Sequence, residues 1–220
     1  MTLNQLRKLN KHVKIKGITN ISFKKYGRII TGYDFTEIIE YMEKKTPIPG
    51  EGFIYVPSVK SMERLPIVKL LQNNFYGELS VQIGYINGVN SKLNCMEYSK
   101  GNKIILAITD MIIFLGRVQD IADNQYDTSK VEAYFVPEGV AVELYSNSLH
   151  SLPCIMEANG FKCAIISLKG TGSALKSEDN EDKLLHSKNR WLIAHEEAKE
   201  YSAREIKIGL VGENIQVFLQ

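Results

Sequence analysis

From Phe53 onward, turn-forming residues break the chain about every 8–12 residues into short apolar segments, the pattern of an all-β sandwich or barrel. Phe53–Val56 stops at Pro57. Leu79, Val81, Ile83 and Tyr85 alternate with Ser80, Gln82 and Gly84, so one face of that strand is expected to be buried, and Asn87-Gly88 then turns the chain. Residues 93–99 and Lys103–Ala107 read as neighbouring strands joined at Lys100-Gly101-Asn102. Segments 111–115, Glu132–Val136, 140–144 and Phe161–Leu168 follow, and Ile206, Ile208 and Leu210 alternate near the end. Polar residues over 119–130 and 171–183 read as loops.

Helix signals are few. Asp34 can cap a helix, Glu37 stands three residues later, and Phe35, Ile38, Ile39 and Met42 share one face. That helix ends before Pro47, Pro49 and Gly50, and residues 195–201 suggest a second, short one. The longest aliphatic stretch, 104–115, is interrupted by Thr109 and Asp110. A membrane helix needs about 20 apolar residues, so none is expected here.

Charge is balanced: Lys+Arg is 27 against Asp+Glu 25. A nucleic-acid binder is therefore not expected for the chain as a whole. The first 28 residues stand apart, since Arg7, Lys8, Lys11, Lys14, Lys16, Lys24, Lys25 and Arg28 have no acidic residue among them. Such an arm can bind phosphate or RNA, but aromatic residues are sparse in it, and a solvated arm packing on the barrel is the expectation. Cys95, Cys154 and Cys163 are odd in number and form no Cys-x-x-Cys pair, and the chain start lacks a signal-peptide core. A reducing cytoplasm is the expected location.

One constellation can carry chemistry. In a strand, residues two apart face the same side. Glu97 and Ser99 should thus face the barrel interior with Tyr98 facing away, and Lys103 should lie alongside after the turn. Pro137-Glu138-Gly139, followed by His150, would supply a fourth position. This is the spacing of the two cupin motifs, His-x-His-xxx-Glu and Pro-x-Gly…His, which converge on a metal. Here Glu97 and His150 are the two metal-competent donors, whereas Ser99 is a poor ligand and a protonated Lys103 repels a divalent cation.

Several stretches resemble a bacterial family of unknown function with a cupin-like fold. They are Ile83-Gly84-Tyr85-Ile86-Asn87-Gly88-Val89-Asn90, Leu93-Asn94-Cys95-Met96-Glu97-Tyr98, Thr128-Ser129-Lys130-Val131-Glu132-Ala133-Tyr134-Phe135-Val136-Pro137, Asn189-Arg190-Trp191-Leu192-Ile193-Ala194-His195 and Gly212-Glu213-Asn214. The resemblance implies distant similarity to ureidoglycolate lyase and cupin-type sugar isomerases, and a place in carbohydrate utilisation. It also implies that positions 99 and 103 are usually His and Glu. This chain departs at both.

The expected fold is thus mainly β: a cupin-like (jelly-roll) β-barrel over 51–220, with residues 1–50 as a basic arm and helix packing on it. The expected function is small-molecule metabolism of a carbohydrate or keto acid, by an isomerase or lyase step through an enediol-like intermediate. The alternative is a non-catalytic cupin-like protein binding a sugar or sugar phosphate. Glu97, Lys103 and His150 are the catalytic candidates, His150 because its ordinary pKa suits proton transfer. Lys103 could stand in for a metal's charge, or simply pair with Glu97 across neighbouring strands. Asn90, Asn94, Ser99, Tyr145 and Arg190 are the substrate-binding candidates. Lys188 and His195 could close the barrel mouth with Arg190, Glu143 could line the pocket in place of Tyr145, Trp191 reads as core, and His12 and His186 read as solvated. No cofactor is expected; a divalent metal, if bound, would use Glu97 and His150. The expected partners are an anionic or sugar ligand and, by resemblance, a second copy of the chain, with no membrane and no nucleic acid.

Overall fold

The computed structural model describes residues 2–177 and 181–220. Met1 and part of the expected loop 171–183, Glu178, Asp179 and Asn180, lie outside the described residues.

Eight strands make the frame. In chain order they are Val81–Gly88, Cys95–Tyr98, Lys103–Ala107, Met111–Arg117, Glu132–Val136, Ala141–Leu144, Ser148–Ser151 and Phe161–Leu168. One sheet carries the fifth, fourth, seventh and second of these side by side. The other carries the sixth, third, eighth and first. Every link but the fourth therefore crosses from one sheet to the other. This interleaving of two Greek keys is the jelly-roll arrangement. The fold is mainly β, a cupin-like β-barrel with an N-terminal helical extension, Leu3–Leu9. Thr2 caps that helix by accepting from Gln5 N–H, while Gln5 Oε1 accepts from Thr2 N–H.

The barrel is widened by edge strands from elsewhere in the chain. Ile15–Gly17 adds in parallel to Glu132–Val136, and Gly27–Ile29 adds to Ala141–Leu144. The first fifty residues thus extend both sheets. Gly27 permits this close approach, since a Cβ there would fall 2.0 Å from the Glu143 carbonyl oxygen. Phe53–Val56 pairs with Val81–Gly88, and Arg190–His195 pairs with Cys95–Tyr98.

Both sheets are buried on both faces. Between them lies a core that includes Phe23, Tyr26, Ile105, Ile113, Tyr134 and Phe161. Outside the smaller sheet, helices Thr36–Lys45, Lys60–Glu63 and Pro66–Leu70 cover Val81, Ile83, Ile104 and Leu106. The expected helix is therefore present. Asp34 accepts from the Thr36 N–H at 2.9 Å, and Ile38 and Met42 are fully buried, each burial stabilising by about 1.5–3 kcal/mol. Among the described residues no helix is long and apolar enough to cross a membrane.

Three expectations change. The alternation at 79–85 does mark a buried face, but that face meets the helices, and the opposite face is buried too. Gln82 sits there, donating to the carbonyls of Pro57 and Thr171 and accepting from Gly170 N–H. Leu79 lies outside the strand and is exposed. Asn87-Gly88 does not turn the chain but stays within the strand. Its glycine is needed for proximity, because a Cβ would stand 2.7 Å from the Gly52 carbonyl. The basic arm gains acids from distant strands: Glu132 pairs with Lys16 and Lys25, and Glu143 pairs with Arg28.

Glu132 ties the arm down most firmly. It also accepts from Tyr26 Oη at 2.9 Å and Tyr134 Oη at 2.8 Å. Against its burial, these donors pull its pKa down to about 2. Glu132→Gln weakens every one of these charge-assisted bonds. We expect a stability loss of about 1.5–3 kcal/mol in urea unfolding; an unchanged midpoint would show that the arm is held by apolar packing alone.

Candidate functional site

Glu97 stands at the centre of a buried charge cluster inside the barrel. Its strand lies between Ser148–Ser151 and Arg190–His195. In register, Glu97 faces His150 on one side and Leu192 on the other. Tyr98 points outward and stacks on Trp191 at 5.3 Å, leaving Trp191 half-buried on the outer face.

Lys103 reaches Glu97 by a route other than the expected one. The two strands are not neighbours. Lys103–Ala107 belongs to the opposite sheet, between Ala141–Leu144 and Phe161–Leu168. The link through Gly101 (φ +121°) carries the chain across the barrel. Lys103 Nζ donates to Glu97 Oε1 at 2.6 Å and lies 3.0 Å from His150 Nε2. Arg190 Nε and Nη2 each lie 2.5 Å from Glu97 Oε2. One carboxylate thus holds two cations and joins two sheets.

Burial by itself would raise the Glu97 pKa. The Arg190 guanidinium and then the Lys103 ammonium overcome that, and the carboxyl is held well below its usual range. His150 shifts down to about 3, first through burial and then through the Lys103 charge. Its Nδ1 is 3.3 Å from the Ser151 carbonyl. The ring is therefore neutral with Nδ1 protonated, and Nε2 accepts from Lys103. A proton shuttle near the ordinary histidine pKa is not what this environment gives.

A cavity of about 240 Å³ opens beside the cluster. Glu97, His150 and Arg190 line one side, and Ile86, Ile105 and Ile165 line another. Phe53 and Tyr55, two residues apart on one strand, also face it. The Arg190 guanidinium lies 4.8 Å from the Tyr55 ring centre, and Arg204 lies 5.5 Å from that of Phe53. Tyr201 stacks on the other aromatic, Phe53, at 6.3 Å.

Of the expected substrate-binding residues, Arg190 lines this cavity and the others do not. Asn90 donates to the Lys92 and Pro153 carbonyls. Asn94 takes a left-handed backbone (φ 49°) and exchanges bonds with Asn214, which ties the strand to the C-terminal segment. Ser99 bonds the Gly101 carbonyl within the crossing turn. Tyr145 lies by the Gly27–Ile29 edge, its N–H donating to the Tyr26 carbonyl. Glu143 is spent on Arg28 and Asn102. His195 is buried against Gly212 O and Glu197 N–H, away from the mouth, and Lys188 is exposed and does not line the cavity. Sequence reasoning missed Tyr55, Tyr201 and Arg204; His186 is exposed, as expected, and also lines the cavity. The Phe53–Tyr55 spacing was a usable signal, since it puts two rings on one face; the spacing of His186 and Arg204 carries none.

The residues present do not fit a divalent metal. Both Glu97 oxygens are taken by cations, and the free nitrogen lone pair of His150 faces an ammonium. Among the described residues no three His, Cys, Asp or Glu side chains converge as a metal-holding group.

A family profile described as Domain of unknown function (DUF4867) matches residues 15–215. The chain belongs to this family. The DUF4867 match spans both sheets and every member of the charge cluster. No curated protein matches the chain. Among solved structures, vicilin from Corylus avellana (hazelnut) is similar over 62% of this chain and 36% of its own, at 9% identity and TM-score 0.33. Salicylate 1,2-dioxygenase from Pseudoaminobacter salicylatoxidans is similar over 60% and 30%, at 11% identity and TM-score 0.32. EvdO2 from Micromonospora carbonacea var. aurantiaca, complexed with 2-oxoglutarate, is similar over 53% and 65%, at 10% identity and TM-score 0.38. This DUF4867 chain therefore spans about a third of the first two proteins.

The cluster predicts an asymmetry between its partners. Glu97→Gln strands two buried cations and should cost about 3–5 kcal/mol in denaturant unfolding. Lys103→Met leaves Glu97 its Arg190 fork and should cost less; equal or reversed losses would refute this ordering. Acid should act in two stages. His150 binds its proton at a lower pH folded than unfolded, so its contribution is complete above pH 6.5 and falls away towards pH 3. Glu97 is likewise depressed, so its contribution is complete above 4.5 and is lost at lower pH. His150→Asn should flatten the upper stage in a stability-versus-pH series, and an unaltered curve above pH 4.5 would contradict the assignment.

Proposed function

We propose that the protein binds a small organic anion inside the barrel without using a metal. The carrying observation is the charge of the cavity wall. Arg190 and Arg204 line it, and Lys103 binds two of its lining groups, against the single lining carboxylate Glu97. Charge excess in a confined, low-dielectric cleft attracts counter-ions more strongly than on an open surface. The Lys103 ammonium supplies positive charge where the Glu97 and His150 donors converge. The polar wall and the isoleucine wall together suit a compact ligand with a charged end, such as a keto acid or a sugar derivative.

A second reading, an isomerase or lyase step, is favoured by one contact. An ammonium and a neutral imidazole stand 3.0 Å apart beside the cavity. A ligand oxygen that took over the Lys103 N–H would leave His150 Nε2 free to remove a proton from the adjacent carbon. Lys103 would then hold the enediolate oxygen, and Glu97 is the alternative base.

Thermal unfolding in low salt tests the first reading. Pyruvate should raise the melting temperature, and neutral glycerol at the same concentration should not. Equal stabilisation by glycerol, or none by pyruvate or a small phosphate ester, would overturn it. Proton exchange of a bound keto acid in D2O, followed by NMR, tests the second: exchange should occur with the wild type and vanish in His150→Asn.

A further inference from the structure

The cavity mouth holds more donor capacity than one carboxylate ligand needs. Arg204 is exposed, and its guanidinium lies over Phe53 with no hydrogen-bond or ion-pair partner among the described residues. Arg190 spends Nε and Nη2 on Glu97, and its Nη1 has no partner among the described residues. His186 also lines the cavity without a hydrogen-bond partner among the described residues. These three residues come from successive elements late in the chain: the strand Leu185–Ser187, the strand Arg190–His195 that pairs with it, and the segment after helix Lys199–Ser202. They are close enough that both guanidiniums depress the His186 pKa, after the larger effect of burial.

The aromatic shelf explains how they are presented. Tyr55 and Phe53 sit under the two guanidiniums, and Tyr201 stacks on Phe53. A ring on the face of a guanidinium holds its position and leaves its N–H groups, which lie in the plane, free to donate.

We propose that His186, Arg190 and Arg204 form a phosphate site at the mouth, and that the ligand is a small phosphate monoester whose organic part enters the barrel. This rests on the anion-binding reading above. A single arginine satisfies both oxygens of a carboxylate in a two-pronged contact. Two guanidiniums and an imidazole lining the same opening match a group with three terminal oxygens and up to two negative charges. Inside, the cavity of about 240 Å³ gives the organic part an isoleucine wall on one side and Glu97 and His150 on another.

The test is calorimetric titration with glycerol 3-phosphate, inorganic phosphate and pyruvate, in low salt. It uses the wild type, Arg204→Ala and Arg204→Lys. Arg204 is exposed and holds no ion pair, so these variants should fold, and their melting temperatures check that they do. The ester should bind at least about tenfold more tightly than pyruvate. It should also bind more tightly than inorganic phosphate, because its organic part fills the cavity. Arg204→Ala should lose about tenfold or more for the ester and little for pyruvate, and Arg204→Lys should restore only part of this. The His186 ring resonances should shift on adding the ester to the wild type. Pyruvate binding as tightly as the ester, inorganic phosphate matching the ester, or an Arg204→Ala variant with undiminished ester affinity would each overturn the phosphate site and leave anion binding standing. Binding of none of the three would overturn both.

Discussion

Everything at the candidate site depends on one buried carboxylate. Glu97 is almost removed from water, and an unpaired charge there would be prohibitively costly. It is retained because a guanidinium takes one oxygen and an ammonium the other. The three charged groups come from separate strands, two in one sheet and one in the other. The cluster therefore acts as a clasp between sheets as well as a source of charge. Until a ligand draws Lys103 away, it also occupies His150, because the ammonium that pairs with Glu97 is the same one that caps Nε2.

The jelly-roll path makes this clasp possible. Nearly every link crosses the barrel, so residues six apart in sequence, such as Glu97 and Lys103, face each other across the interior. Had the turn at 100–102 been a simple hairpin, Lys103 would pair beside the strand, and Glu97 would tie only to Arg190 within its own sheet. The same arrangement leaves a net cationic wall next to apolar isoleucines. The proposal of a compact anionic ligand rests on that wall.

Much of the frame was legible beforehand. Short apolar segments bounded by Pro, Gly and Asn pairs are hard to fold as anything but strands, and the helix carried its own apolar face, although its N-cap is Phe35 and Asp34 binds Thr36 from one residue further back. That Glu97, Lys103 and His150 come together was implied by the cupin motif pattern, but the route by which Lys103 arrives was not, since it lies in the opposite sheet. Register and sheet membership were not. Asn87-Gly88 has the local chemistry of a turn, yet partners on both sides hold it in a strand. Asn90, Asn94, Ser99 and Tyr145 sat near the motif in sequence, but their polar groups were consumed by the backbone and by Asn214. His186 and Arg204 carried no local mark at all. They became site residues because strands and a helix far along the chain bring them to the same opening.

By itself, then, the sequence determined that the chain would be built of short strands with Glu97 on an inward face, since side-chain period and turn chemistry act over a few residues; His150 was added only by resemblance to the cupin motifs. Only the tertiary structure decided that Lys103 lies in the opposite sheet, that Arg190 joins it on Glu97, and that an aromatic shelf presents two guanidiniums at the mouth. The reason is physical: the cost of burying a charge, and the field that lowers it, depend on distances through space that residue spacing does not encode.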